Sequence, residues 1–283
     1  MSSIMHVHRE RTDIHFTDTG AGQPVVLSHG FLMDGTMFDR TRETFVENGF
    51  RVITVDARSF GHTEADVTKP FTYWDLADDI AAVLDHLTIA GPVTLGGMSQ
   101  GGYTALRFAL RYPNRTRALI LASTTAAADT PEQSARYRSM ASAWTDPRVP
   151  LEPQARGLAP LLIGGTTDDQ EHWIHRWLSD PHRVRTAAAW ETLATRDEIT
   201  HRLAEIRCPA LVLRGHADQA GGTADDASTL AELLPGAAGF SSVIAGTSAG
   251  HGIWWTHPQP VARCALSFLH SLNAANQSRT SAR

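Results

Sequence analysis

The chain has 283 residues, of which 42% are hydrophobic and 19% charged, the composition of an ordinary globular protein long enough for a large core and an inserted segment. Its formal net charge of -5 argues against a general attraction to nucleic acid or anionic lipid, which need clustered cations, and favours small-molecule chemistry. No stretch reaches about 18 uninterrupted apolar residues and residues 1–11 lack the apolar run of a secretory leader, so a cytoplasmic protein with no membrane span is expected.

In chain order, residues 5–10 and 13–17 read as an initial pair of strands, antiparallel at a sheet edge. Short β-branched runs at 24–28, 51–55, 92–96, 117–122 and 209–213 read as central strands, with another at 240–244. Helical patterns separate them. Leu76, Ile80, Val83, Leu84 and Leu87 mark one apolar helix face, and Val261, Ala265, Phe268 and Leu269 mark another near the end. Strands alternating with helices predict an α/β fold with a mostly parallel sheet. From 128 to 202 the alternation stops. That segment carries Trp144, Trp173, Trp177 and Trp190, broken by prolines and by Gly164-Gly165, and reads as an inserted helical cap. The expected organisation is a core of 1–127 and 203–272, a cap of 128–202 and a polar tail of 273–283. Cys208 and Cys264 read as reduced thiols rather than a disulfide.

The chemistry centres on Gly97-Met-Ser99-Gln-Gly101, a G-x-S-x-G pattern that follows a predicted strand and opens a predicted helix through Tyr103, Leu106, Phe108 and Leu110. A serine on such an elbow takes a strained backbone, and the flanking glycines remove side chains that would collide. A hydroxyl is a weak nucleophile, so it needs a base and a group that orients the base. Asp218, directly after the 209–213 strand, is the expected acid; Asp225 and Asp226 are alternatives, and Asp129 a weaker one. His251, in a glycine-flanked loop after the last strand, is the expected base, with His216 and His257 as nearby rivals. The backbone N–H groups of Phe31 and Gln100 are placed to form an oxyanion hole, and His29 reads as structural. Met33, Trp144, Trp173, Trp177, Trp190 and Trp254 are expected to line a mainly apolar substrate pocket. No convincing zinc spacing and no glycine-rich nucleotide motif occurs, so neither a metal nor a cofactor is expected.

On these positions the chain resembles the α/β-hydrolase fold superfamily over nearly its whole length. The stretch Val55-Asp-Ala-Arg-Ser-Phe-Gly-His-Thr63 is similar to that family's D-x-R-G-x-G-x-S segment, with Ser59 and Thr63 departing from it. The resemblance implies an eight-stranded type of sheet flanked by helices, and a serine hydrolase that cleaves a carboxylic ester or lactone through an acyl-enzyme. A serine at position 99 disfavours the dehalogenases and epoxide hydrolases of this fold, which use aspartate there. Carbon–carbon bond hydrolases and cofactor-free perhydrolases use the same triad and remain open, as does a non-catalytic ligand-binding relative. The expected partner is a small-molecule ester or lactone.

Overall fold

The computed structural model describes residues 3–66, 68–221, 223–237 and 241–280, with side chains omitted for Ser3, Ile4 and residues from 275 onward. Strands β1 (Ser3–Arg9), β2 (Thr12–Thr19), β3 (Gln23–Ser28), β4 (Phe50–Val55), β5 (Glu64–Ala65), β6 (Val93–Met98), β7 (Thr116–Ala122), β8 (Ala210–Gly215) and β9 (Ser241–Ile244) form one sheet among the described residues. The main path runs β1-β2-β4-β3-β6-β7-β8-β9, an eight-strand order to which the two-residue β5 adds by pairing with β2. β1 and β2 are antiparallel to their neighbours, and from β4 to β9 every pairing is parallel. The strand predicted at 240–244 is present as Ser241–Ile244; Phe240 lies outside the described residues.

Helices α1 (Asp39–Glu47), α2 (Tyr73–His86), α3 (Gln100–Arg111), α4 (Pro131–Thr145), α5 (Leu151–Leu162), α6 (Thr167–Ser179), α7 (Ala187–Ala194), α8 (Ala224–Leu233), α9 (Ile253–Thr256) and α10 (Pro258–Thr280) complete the chain. Because successive strand residues face opposite ways, the sheet makes two cores. Val25, Leu27 and Val52 pack with Phe45 of α1 and Phe268 of α10, whereas Val26, Ile53 and Leu95 pack with Ile80 of α2 and Leu106 of α3. Both faces are therefore dry, which is why these strands read as near-continuous apolar runs. The start of α2 is fixed by a capping box: Thr72 accepts from Asp75 N and the Asp75 carboxylate accepts from Thr72 N, worth about 1 kcal/mol.

The 273–283 stretch continues α10 as far as Thr280, because nothing in Asn273-Ala-Ala-Asn-Gln-Ser-Arg-Thr breaks a helix; residues 281–283 lie outside the described ones. Cys208 and Cys264 are free but half-buried, and burial pushes the Cys208 thiol up to about 12. No helix among the described residues is long and apolar enough to cross a membrane.

Candidate active site

The carboxyl ends of the parallel strands carry the candidate site residues, as expected of an open α/β sheet. Ser99 is the single residue between β6 and α3, with φ 55° and ψ -117°, a conformation that costs an L-residue energy. The sequence around it makes this turn possible. A Cβ on Gly97 would sit 2.2 Å from the Gly101 carbonyl carbon, and one on Gly101 would sit 1.9 Å from Ser28 O. The elbow is anchored by Ser99 N donating to Ala122 O (2.9 Å) and by Thr124 Oγ1 donating to Ser99 O (2.8 Å). Ser99 is 7% exposed.

Asp218 lies on the turn after β8, and His251 on the loop after β9. The His251 Nδ1–H donates to both carboxylate oxygens of Asp218, at 3.0 and 3.1 Å. Burial would push the Asp218 carboxyl up, but His251 beside it and the N–H of Ala220 at 3.1 Å hold it below the ordinary carboxylate range. This pairing fixes the tautomer that leaves Nε2 as the base. The other acids are engaged elsewhere. Asp226 caps α8 through Thr223, Asp225 is exposed, and Asp129 forms an ion pair with Arg196 at 3.1 Å. His216 is exposed, and His257 Nδ1 bonds the Thr256 hydroxyl at 2.8 Å.

The His251 loop is held from the segment between β7 and β8. Gly252 N donates to Ile163 O and Gly165 N donates to Ser248 O, both at 3.0 Å, so the turn after α5 grips the loop on either side of the histidine. In sequence, Gly164-Gly165 read only as a helix break. In the structure both take positive φ (67° and 69°), and Gly164 lies so close to Gly250 that a Cβ there would be 2.9 Å from its Cα.

Phe31 follows β3, and Gln100 opens α3. The Gln100 Nε2 donates to Gly30 O at 3.3 Å, tying together the two segments that carry the expected oxyanion donors. His29 accepts from Ala57 N at 2.9 Å through Nε2, and its Nδ1–H donates to Gly30 O at 2.8 Å, a structural use of both ring nitrogens. From the opposite side Trp177 Nε1 donates to Leu32 O at 2.6 Å.

Of the expected pocket residues, Met33, Trp144, Trp173 and Trp177 line one cavity of about 340 Å³ between this loop and helices α4 and α6, but Asp34, Arg176, Asp180, Arg183 and Arg185 line it too, so its wall is not apolar throughout, and none of Ser99, Asp218 and His251 borders it. Trp190 and Trp254 do not. Trp190 packs edge-on against Phe31 with centroids 4.6 Å apart, and Trp254 is wedged between Phe38 and Phe45. A ring that fills a core and a ring that lines a pocket look alike in sequence.

Sequence reasoning placed Tyr103 on the helix after the elbow and gave it no part in the site. It stands one helical turn after Ser99 on α3. Burial pushes its hydroxyl up, keeping it a neutral donor. A Cβ on Gly221 would be 3.8 Å from the Tyr103 hydroxyl and 3.9 Å from His251 Cε1, so both residues face one space. Over the Tyr103 ring, 4.0 Å from its centroid, lies the guanidinium of Arg196. The i to i+4 spacing of Ser99 and Tyr103 could have flagged the tyrosine. Nothing local flags Arg196.

Comparison with known proteins places these observations. Residues 23–258 match the profile of the alpha/beta hydrolase fold family. The chain is 28% identical over 282 residues to a 2-hydroxy-6-oxononadienedioate/2-hydroxy-6-oxononatrienedioate hydrolase of Burkholderia vietnamiensis, covering 95% of each chain. It is 29% identical over 291 residues to a non-heme chloroperoxidase of Streptomyces lividans, covering 92% of this chain and 97% of that one. A thermophilic esterase from Thermogutta terrifontis, solved with malate bound, superposes with a TM-score of 0.81 at 30% identity, over 96% of this chain and 99% of the other.

Proposed function

The chain belongs to the alpha/beta hydrolase fold family, and from that premise we propose that it cleaves a carboxylic ester or lactone of a small, largely apolar molecule through an acyl-enzyme on Ser99. The observation that carries this reading is the Asp218–His251 pair, hydrogen-bonded and buried, at the same end of the sheet as a serine held in a strained elbow. In this reading His251 Nε2 takes the Ser99 proton as Oγ attacks the carbonyl carbon. The tetrahedral oxyanion is received by the N–H groups of Phe31 and Gln100, each worth about 3 to 4 kcal/mol in such holes. His251 then gives the proton to the leaving alkoxide, and a water repeats the sequence on the acyl-enzyme. Asp218 stabilises the imidazolium without accepting its proton.

Helices α4 to α7 act as the cap, with Met33, Trp144, Trp173 and Trp177 offering apolar area to the substrate. Esterase chemistry in the Thermogutta terrifontis relative supports the ester reading. The Burkholderia vietnamiensis relative supports a second one, hydrolysis of a carbon–carbon bond by the same groups. Release of nitrophenol from 4-nitrophenyl acetate and butyrate, and opening of simple γ-lactones, separates them. Turnover that disappears in Ser99→Ala is the expected result. No turnover of any ester, with cleavage of a vinylogous diketone instead, would overturn the ester reading, and tight ligand binding without any cleavage would overturn hydrolysis altogether.

A further inference from the structure

Packed over the helix that follows Ser99 is a buried polar group that the proposed triad chemistry does not use. Arg196, 7% exposed, follows α7 and reaches back over α3. Its Nε donates to Ala127 O at 3.0 Å, its Nη2 pairs with Asp129 at 3.1 Å and one face covers the Tyr103 ring, but its Nη1 has no hydrogen-bond partner. The Tyr73 hydroxyl, in the same cluster and edge-on to Tyr103 at 5.2 Å, is unpartnered as well. Buried guanidinium N–H groups without acceptors are rare because their desolvation goes uncompensated. Such a group is able to donate to an anionic acceptor.

We propose that Arg196 is a substrate-recognition residue whose free edge receives a carboxylate carried by the substrate, making the preferred esters or lactones monoanionic acids rather than fully neutral molecules. This rests on Ser99 being the nucleophile, and it deepens that reading by naming the substrate class. The guanidinium lies on the Tyr103 ring, whose hydroxyl borders the same space as His251 Cε1, so a carboxylate held there would be joined to the scissile carbonyl by a short chain. Tyr103 links the two: its ring supports the cation and its hydroxyl borders the same space as His251. A planar guanidinium with Nη2 held by Asp129 can still offer Nη1, since the two point in different directions.

The test compares 4-nitrophenyl hemiglutarate with 4-nitrophenyl pentanoate, two esters of similar length of which only the first carries a carboxylate. Because one active site hydrolyses both, the ratio of their kcat/KM values is independent of how much protein is folded. The wild type is expected to favour the hemiglutarate by about tenfold or more, and Arg196→Gln to lose about tenfold of that ratio, mainly through KM. Arg196→Lys should keep part of it, and Asp129→Asn should raise it, a change of sign that a purely structural ion pair does not produce. Preference for the pentanoate, or an equal fall on both esters in Arg196→Gln, would overturn the proposal. Should Arg196→Gln fail to fold, Arg196→Lys and Asp129→Asn carry the same comparison. If the wild type hydrolyses neither ester, the hydrolase reading is what fails. Calorimetric binding of glutarate to the wild type, expected to weaken in Arg196→Lys, then decides the carboxylate site by itself, with no binding counting against it.

Discussion

Two buried arginines, one on the helix that follows Ser99 and one packed over it, are used in opposite ways. Arg107, two turns after Ser99, spends every nitrogen: Nε and Nη2 donate to Asp197 Oδ1 at 3.0 and 2.6 Å, Nη2 also to Asp197 O, and Nη1 to Tyr103 O at 3.0 Å. Arg196, its partner's neighbour in sequence, lies over the Tyr103 ring and leaves Nη1 without a hydrogen-bond partner. A charge whose hydrogen bonds are all made inside the protein can only hold the fold together. One left incomplete costs stability in the free protein and returns it when a ligand arrives. The same contrast separates the Asp56 and Asp79 networks, which stitch β4, α2 and the loop after β3, from the Asp218–His251 pair, whose remaining imidazole nitrogen is left to do chemistry.

The contrast is broken or sharpened by substitutions on each side of it. The largest effect is expected from Ser99→Ala: a loss of kcat approaching a million-fold with an unchanged urea midpoint, because the covalent step goes while packing stays. Residual turnover near wild type would mean that the elbow is structural. Asp218→Asn should cost about ten-thousand-fold in kcat by leaving the imidazole in the wrong tautomer. The same change at Asp129 or Asp226 should fall far short of that, and steady-state rates across the three variants check the assignment.

Arg107→Ala belongs to the structural side, where the expected loss is stability of about 3 kcal/mol, at the low end for a broken buried pair because Asp197 is 46% exposed and can rehydrate. Denaturant midpoints measure it, and a variant that is fully stable yet inactive would reverse the roles given to the two arginines.

Acid should act first on the same structural side. Burial alone would raise the Asp56 carboxyl, but bonds from His15 and the His62 N–H hold it below its usual value of 3.8, and Asp218 is likewise lowered. A carboxylate with a depressed folded pKa contributes stability that is complete above the unfolded pKa and is lost as pH falls through the folded one. Urea midpoints are therefore expected to hold above about pH 4 and fall below it, and Asp56→Asn should flatten that fall. A slope unchanged in Asp56→Asn would assign the acid sensitivity elsewhere.

The smallest effect concerns Ser59, which stands at φ 75° where the family pattern has glycine. Ser59→Gly should relieve the left-handed strain and stabilise by up to about 1 kcal/mol, read as a small rise in Tm without change in kcat.

Where the sequence was legible, the reason is locality. The elbow glycines, the acid after β8 and the histidine after β9 each sit in a short segment whose shape the neighbouring residues dictate, so order along the chain was enough to find them. Even Thr63, a departure from the family segment, keeps a hydroxyl that bonds Asp56 O at 2.6 Å and accepts from His15 N at 2.9 Å. The cluster of Tyr103, Asp129 and Arg196 was not legible, because its members lie tens of residues apart and meet only through the crossing of α3 with the segment after α7. Asp129 did attract notice as a spare acid, but only its spatial partner shows what it does. The tryptophans divide for a related reason, Trp144, Trp173 and Trp177 lining the cavity and Trp190 and Trp254 packing in the core: composition gives apolar area, and only packing says what that area faces.

The central claim, a covalent serine mechanism on this site, is tested most directly by mass spectrometry after treatment with an organophosphonate fluoride. One adduct per chain is expected, mapped to Ser99, formed in step with loss of esterase activity and absent in Ser99→Ala. An adduct on another residue, or ester turnover that persists after Ser99 is fully labelled, would contradict it.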